Sequence, residues 1–436
     1  MVNKIEHAQL KETLYQEKLP NGLNVFVVPK QGFQKTYAIF TTRYGAIDHD
    51  FQPPGKQRIR VPDGIAHFLE HKMFEQRSGE DVFQQFALQG AAANAYTSFT
   101  RTAYLYSCTE NVEKNLTTLL DFVQEPYFTD ENVEKEKGII AQEIRMYDDT
   151  PDWRLYFGLI QAFYQQHPVK IDIAGTVESI YEITKEHLYQ CYETFYHPSN
   201  MVLVIVGSVQ PEQIIQLVAE NQAKKNFTNQ AEIKRFFEQE PDQVRTRRND
   251  VQLAVGVPKC MFGFKERASF VGQKGDDFLR QELSTFLFLE YLFGQGSDFY
   301  QSLYDDGLID EQFGYDYSLE DGFAFSMAGG DSSDPERLLA RVEKEVPGFV
   351  QRGLDQTTFD RLRKKRIGST LRLLNSPEWI ANQYTRYQFA GTDLFRMIPL
   401  LEELTVDQVN ERMREHVDFE QFATSVIKPS AQVSKE

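Results

Sequence analysis

The chain has 436 residues, 41% hydrophobic and 25% charged, a composition typical of globular proteins that are large enough for two or three domains, each with its own core. Its formal net charge is −17, which argues against nucleic acid as a partner, because binding a phosphate backbone requires a broad basic surface. No stretch of 18 uncharged apolar residues occurs, so the sequence predicts no membrane span.

The compartment is inferred from the N-terminus and the cysteines. The first twenty residues are charged and lack an apolar run, so we expect no signal peptide. Cys108, Cys191 and Cys260 lack the spacing of a disulfide framework or a metal site. These features predict a cytoplasmic protein with reduced thiols.

The first predicted elements are two strands and a helix. A turn signal at Leu19-Pro20-Asn21-Gly22-Leu23 precedes an apolar strand pattern that runs to Val28. A second strand is predicted from about Thr36 to Tyr44. Asp63 is the predicted N-cap of the helix that follows. This helix is apolar on nearly all sides, which predicts that it is buried.

Residues 67 to 71 of this helix read His-Phe-Leu-Glu-His and are the most informative stretch of the chain. One turn separates His67 from His71, so both imidazoles lie on one side of the helix and can bind one metal ion. Glu70 lies on the same arc, where its carboxylate can handle a proton beside that ion. The pattern predicts metal-assisted hydrolysis. Zn²⁺ is the expected ion, and the sequence leaves Mn²⁺ and Co²⁺ open.

A helix over about Val82 to Leu88 is predicted next, then a strand over Asn94 to Cys108 and helices near 110–124 and 130–148. On the last of these helices, Glu136 and Glu143 lie two turns apart and within about 20° of each other, among apolar neighbours. A buried carboxylate needs a positive partner. A metal ion for one, and a metal-binding histidine for the other, would supply it. The alternative is a partly buried face with both acids in water.

The first part of the chain is predicted to end with a buried strand over Met201 to Gly207, and the polar stretch 223–249 is the predicted linker. The part that follows the linker resembles a copy of the first part. At an offset of 220, Phe68-Leu69-Glu70 falls on Phe288-Leu289-Glu290, where Leu287 and Tyr291 replace the two histidines. The predicted organisation is therefore a zinc-bearing domain over 1–222, a linker over 223–249 and a homologous domain without metal ligands over 250–436.

These motifs resemble the inverted-zincin peptidases, the family of pitrilysin, insulin-degrading enzyme and the mitochondrial processing peptidase. The resemblance rests on His67-x-x-Glu70-His71, with the acidic pair some seventy residues later. It extends to Leu19–Leu23, to Asn94-Ala95-x-Thr97 and to His197-Pro198-x-Asn200-Met201. Within this family, the chain resembles the half-length members of bacterial type. It implies an α+β fold of two homologous domains, each an antiparallel sheet flanked by helices.

The resemblance also implies a role for each residue. His67, His71 and Glu143 would bind zinc, Glu70 would be the general base, and Glu136 would support a zinc ligand from behind. Asn94 and Ala95 would contact the backbone of an extended peptide that adds to an edge strand. The implied activity is that of a zinc-dependent metalloendopeptidase acting on peptides or a peptide precursor.

One family feature is missing. Active members use an Arg, and a Tyr seven residues later, from the half without metal to hold substrate beside the zinc. The matching positions are Tyr304 and Glu311, and no Arg occurs between Arg280 and Arg337. We therefore expect a related partner chain to supply this substrate clamp in a heterodimer, with a homodimer as the other arrangement. The alternative function is a non-catalytic assembly or scaffold subunit, although a scaffold would not need Glu70.

Overall fold

The computed structural model describes residues 2–228 and 230–430. Met1 and residues 431–436, which the predicted domain limits include, and Asn229 in the predicted linker lie outside the described residues. In the described part of the chain, no helix is both long enough and apolar enough to cross a membrane.

The first half builds a seven-stranded sheet with helices around it, and two of its short strands belong to a separate small sheet. Its strands are β1 (Asn3–His7), β2 (Glu12–Lys18), β3 (Asn24–Pro29), β4 (Thr36–Thr42), β5 (Asp50–Gln52), β6 (Ile59–Arg60), β7 (Ala91–Thr97), β8 (Thr102–Cys108) and β9 (Met201–Gly207). Its helices are α1 (Ile65–Met73), α2 (Val82–Leu88), α3 (Val112–Val123), α4 (Asp130–Asp148), α5 (Pro151–Phe163), α6 (Val177–Tyr181), α7 (Lys185–Phe195) and α8 (Pro211–Ala223).

The sheet of the first half has the strand order β1-β2-β3-β9-β4-β8-β7. Strand β9 is buried at every residue. Val202, Val204 and Val206 face one core, while Leu203 and Ile205 face another. Burial on both faces accounts for the continuous apolar run of this strand. β3 and β9 run parallel, and the other neighbouring pairs of this sheet are antiparallel.

The second half repeats the order of elements that runs from β3 to β9, without counterparts of β5 and β6. Its strands are β10 (Lys234–Arg235), β11 (Arg248–Leu253), β12 (Lys259–Lys265), β13 (Gly314–Glu320), β14 (Phe323–Asp331) and β15 (Phe422–Pro429). Its helices are α9 (Gly275–Phe293), α10 (Asp298–Asp305), α11 (Pro335–Arg352), α12 (Gln356–Leu373), α13 (Pro377–Phe389), α14 (Met397–Glu403) and α15 (Val406–His416). Its sheet has the order β11-β15-β12-β14-β13. The predicted α+β class is confirmed. Each of the two large sheets also contains one parallel pair, which in this half is β11 with β15.

One helix of each half packs on the sheet of the other half. Helix α5 packs on β11, β12 and β15, while α13 packs on β4 and β9. One continuous core therefore joins Ile39 and Val204 of the first half to Ile380 and Tyr384 of the second. A further core, which includes Phe40 and Phe68, lies within the first part of the chain alone. The predicted domain limits remain a prediction, although the two sheets divide within the predicted linker.

The predicted linker is packed against both halves. In β10, which pairs with β5, the guanidinium of Arg235 lies 2.7 Å from the buried carboxylate of Asp48. Glu240 accepts hydrogen bonds from the backbone N–H groups of residues 165–167 at 2.7 to 2.9 Å. Glu240 also binds the ammonium of Lys265 at the end of β12, at 2.6 Å. The charged residues of this segment therefore connect the two halves.

Candidate metal centre

The residues before helix α1 fix its position. Gly64 has a φ of 85°, and a Cβ at this residue would lie 2.3 Å from the carbonyl oxygen of Ala174, so only glycine fits. The prediction that Asp63 caps the helix is wrong. No side chain caps α1, and the Asp63 carboxylate lies 2.8 Å from Nδ1 of His49 instead. The burial predicted for α1 is observed: Phe68 and Leu69 are fully buried.

The packing of α1 against α4 brings His67, His71 and Glu143 together. Nε2 of His67 lies 3.7 Å from Oε1 of Glu143, and Nε2 of His71 lies 3.6 Å from Oε2. These distances exceed a hydrogen bond. They suit atoms that share one zinc ion at about 2.0 to 2.2 Å each. Two imidazoles and a carboxylate are a usual donor set for catalytic zinc and leave a fourth position open, so the residues fit the ion.

The site is partly open to solvent. The side chains of His67, His71 and Glu143 are 12%, 27% and 21% exposed, which gives water and substrate access to the gap between them. No other group of three His, Cys, Asp or Glu side chains in residues 2–228 and 230–430 meets the same spacing. Within the described residues, His67, His71 and Glu143 are therefore the one group of three that could hold a metal ion by this spacing.

His67 has the protonation state that a ligand needs. Burial, and then the neighbouring His71, lower the pKa of His67 to about 3, so its ring is neutral near pH 7. Its Nδ1 is buried and has no hydrogen-bond partner among the described protein atoms. A neutral ring directs an unshared pair towards Glu143 at no cost in deprotonation.

Glu136 orients His71. Its Oε1 lies 3.0 Å from Nδ1 of His71, which assigns the proton to Nδ1 and leaves Nε2 on the side of Glu143. Burial raises the pKa of Glu136, but the bond to His71 and the charge of Lys72 outweigh burial, so this pKa lies below 4.5. Burial also opposes the charge on His71, yet Glu136 and the other nearby carboxylates raise its pKa.

Glu70 is placed beside the three candidate ligands. It is 8% exposed, and its Oε2 accepts a 2.6 Å hydrogen bond from Oγ1 of Thr97. Burial is the main reason that the pKa of Glu70 lies above 4.5, while the Thr97 bond and the charge of His71 act in the opposite direction. A carboxylate with a raised pKa is suited to accept a proton and return it.

Sequence reasoning missed the side chains that hold these residues in place. The hydroxyl of Tyr147 donates a 3.0 Å hydrogen bond to Oε1 of Glu143, and their i, i+4 spacing was the available signal. Lys72 is fully buried, with its ammonium 3.4 Å from Oε2 of Glu136. Thr97 is part of a sequence landmark, but nothing in the sequence indicates that it contacts Glu70.

The strand predicted over Asn94 to Cys108 is a hairpin of β7 and β8. Its turn is closed by a hydrogen bond from Ser98 N to Arg101 O. β7 is the last strand of its sheet, so its outer edge has no neighbouring strand among the described residues. Asn94 and Ala95 lie on this strand, and the Asn94 side chain accepts a 2.9 Å bond from Ala95 N. The strand ends at Thr97, so its edge leads to Glu70.

Among the described residues of the second half, no metal cluster forms at the corresponding place. Leu287 and Tyr291 occupy the positions of the two histidines on α9, which corresponds to α1. Glu290, the counterpart of Glu70, accepts a 2.6 Å hydrogen bond from the hydroxyl of Tyr315. The ammonium of Lys365, on α12, lies 2.6 Å from its other oxygen. A protein cation therefore compensates this carboxylate.

Comparisons with known proteins agree with this geometry. Residues 61–177 match the family model described as Insulinase (Peptidase family M16), and residues 182–366 match the model described as Peptidase M16 inactive domain. The chain is 53% identical over 435 residues to the uncharacterized zinc protease YmfH of Bacillus subtilis (strain 168), covering 99% of this chain and 100% of the relative. It is 29% identical over 170 residues to a probable mitochondrial-processing peptidase subunit beta of Arabidopsis thaliana, covering 38% and 31%. The crystal structure of a putative M16-like peptidase from Alicyclobacillus acidocaldarius is 41% identical, has a TM-score of 0.92 and covers 98% of this chain and 99% of that one.

Proposed function

The chain belongs to the insulinase family of zinc metallopeptidases, peptidase family M16, and we propose that His67, His71 and Glu143 bind its zinc ion and that Glu70 is its general base. One observation carries the proposal. The two Nε2 atoms face the Glu143 carboxylate across gaps of 3.7 and 3.6 Å, too wide for hydrogen bonds and suited to a shared ion.

The side chains divide the chemistry between them. When bound, Zn²⁺ supplies a Lewis acid that lowers the pKa of water to about 7 and polarises a peptide carbonyl. Glu70 accepts the proton of the attacking water and returns it to the leaving amine. Thr97 occupies Oε2 of Glu70, which leaves Oε1 for that proton. Glu136 keeps the proton of His71 on Nδ1.

The proposed substrate is an extended peptide that adds to the edge of β7. The support is that β7 is the last strand of its sheet and ends at Thr97, which contacts Glu70. Backbone hydrogen bonds would hold the peptide in register, with Asn94 and Ala95 as contacts near the cleaved bond. This mode of binding recognises peptide backbone rather than one side chain.

A related chain is proposed as the partner. Tyr304, in α10, is 40% exposed, and Glu311 is also exposed. Neither position can supply the cation that holds a substrate carbonyl beside zinc, so a second chain of the same family would supply it in a heterodimer. A tagged chain purified from its own cells is expected to bring down a related chain. Full peptidase activity of the isolated zinc-loaded monomer would refute this part of the proposal.

The predicted cytoplasmic location also remains a proposal. All three cysteines are buried and unpaired, as expected for a protein kept in a reducing compartment. Fractionation of cells that produce a tagged chain tests it directly. Recovery of the chain outside the cytoplasmic fraction would contradict it.

Metal analysis combined with a peptidase assay tests the proposed function. We expect one zinc ion per chain, loss of turnover of a quenched fluorescent peptide when a chelator removes the ion, and recovery when zinc is added back. The assay uses the chain together with any related chain that copurifies with it. Turnover at an unchanged rate after the metal has been removed would contradict the proposal.

A further inference from the structure

A buried lysine lies directly after the second metal-site histidine. The side chain of Lys72 is 0% exposed. Its ammonium lies 2.8 Å from Oε1 of Glu75 and 3.4 Å from Oε2 of Glu136. A buried ammonium is costly unless it is paired. Lys72 is paired with two carboxylates, and one of them, Glu136, also contacts a proposed zinc ligand.

Glu136 connects this lysine to the metal site. Its Oε1 lies 3.0 Å from Nδ1 of His71, and its Oε2 faces the ammonium of Lys72. The last torsion of a glutamate side chain is broad, so one hydrogen bond does not fix the plane of its carboxylate. A second contact, on the other oxygen, restricts this rotation. Lys72 provides that contact.

We propose that Lys72 is a positioning residue of the zinc site. It holds Glu136 so that this carboxylate fixes the His71 ring with Nε2 towards the metal. The inference rests on the proposed ligands His67, His71 and Glu143. The direction of the change in zinc affinity on removal of Lys72 tests this inference, because a positive charge near a dication by itself weakens binding of that ion. Removal of Lys72 therefore weakens zinc binding if Lys72 positions Glu136, and strengthens zinc binding if Lys72 acts only as a like charge.

Lys72→Met removes the charge and keeps most of the length of the side chain. We expect the zinc dissociation constant, measured by competition with a chelator, to rise about tenfold, since loss of groups that support a metal ligand costs 10- to 100-fold. The absorption spectrum of the Co²⁺-substituted chain is expected to change. Lys72→Arg, which keeps the charge, is expected to stay close to the wild type. Unchanged or tighter zinc binding by Lys72→Met would overturn the inference.

A double-variant cycle tests whether Lys72 acts through Glu136. His71 and Lys72 contact different oxygens of Glu136, and Glu136→Gln turns one of these oxygens into an NH₂ group that cannot accept, so one of the two contacts is lost. Lys72→Met is therefore expected to cause no further loss of zinc affinity in the Glu136→Gln background, whereas additive losses would overturn the inference. If Lys72→Met alone does not fold, Lys72→Met/Glu136→Met removes both charges. Its zinc affinity should be equal to that of Glu136→Met or tighter, because only the like charge is lost, and a weaker value would overturn the inference.

Lys265 provides a matched control. Its side chain is 2% exposed, and its ammonium lies 2.6 Å from Glu240, in a contact outside the metal site. Lys265→Met should lower stability without changing zinc affinity. His71→Ala separates the two proposals. Zinc binding that survives His71→Ala would remove the proposed ligand set, whereas zinc binding lost in His71→Ala but not weakened in Lys72→Met would remove only the role of Lys72.

Discussion

Replacement of Glu70 by glutamine should abolish turnover and keep both fold and zinc. The amide has nearly the same volume, and its oxygen can accept the 2.6 Å hydrogen bond that Thr97 donates to the carboxylate. The candidate ligands are not altered. The loss is then that of a general base, about 10² to 10⁴ in kcat, which corresponds to about 3 to 5 kcal/mol of activation free energy. The assay compares kcat for a quenched peptide, zinc content and melting temperature in both proteins.

Glu290 gives the matched control for this variant. It occupies the corresponding position of the second half and also accepts a 2.6 Å hydrogen bond, from Tyr315. Its other partner, Lys365, is 54% exposed, so Glu290→Gln should cost about 1 kcal/mol or less in stability. Its turnover should match the wild type. Turnover retained by Glu70→Gln, or lost equally in both variants, would refute the role of Glu70.

Three further predictions follow from other contacts. Thr97→Val should lower kcat about 10- to 100-fold with KM and zinc content unchanged, because it removes a hydrogen bond to a charged group; Thr97→Ser should restore the rate, and a wild-type kcat in Thr97→Val would contradict this. Glu143→Gln should weaken zinc binding by more than about 100-fold, measured by chelator competition; unchanged affinity would disqualify Glu143 as a ligand. Burial would raise the pKa of Glu266, but His416 and Arg412 hold it at about 2, against 4.5 for an ordinary glutamate. The unfolded chain therefore takes up this proton first on acidification, so the stability that Glu266 contributes is complete above pH 4.5 and is lost as the pH falls towards 2. Denaturant titrations of the wild type and Glu266→Gln should show this loss only in the wild type, and equal pH dependence would contradict the assignment.

The metal half of the site could be predicted because it depends on local geometry. His67 and His71 share a face of any α-helix, whatever the tertiary structure. The approach of Glu143 to these histidines depends on the packing of α1 against α4. The spacing of residues along the chain does not predict this packing. The family resemblance supplied that pairing. Thr97 and Lys72 could not be assigned, because their contacts with Glu70 and Glu136 arise only when distant elements pack.

The errors in the predicted elements have identifiable physical causes. The hairpin of β7 and β8 was predicted as one strand because its turn, Ser98-Phe99-Thr100-Arg101, contains no Gly, Pro, Asn or Asp. Asp63 has the residue type of an N-cap, but the left-handed Gly64 begins α1 and Asp63 contacts His49. The linker has the composition of a solvated segment, yet Arg235 and Glu240 contact buried groups of opposite charge.

The central claim is that one zinc ion lies between α1 and α4. A crystal of the zinc-loaded chain, measured on both sides of the zinc absorption edge, tests it most directly. The account predicts one anomalous peak at about 2.0 to 2.2 Å from Nε2 of His67, Nε2 of His71 and a carboxylate oxygen of Glu143. A peak at any other place, or full zinc occupancy with Glu143 turned away from the ion, would contradict it.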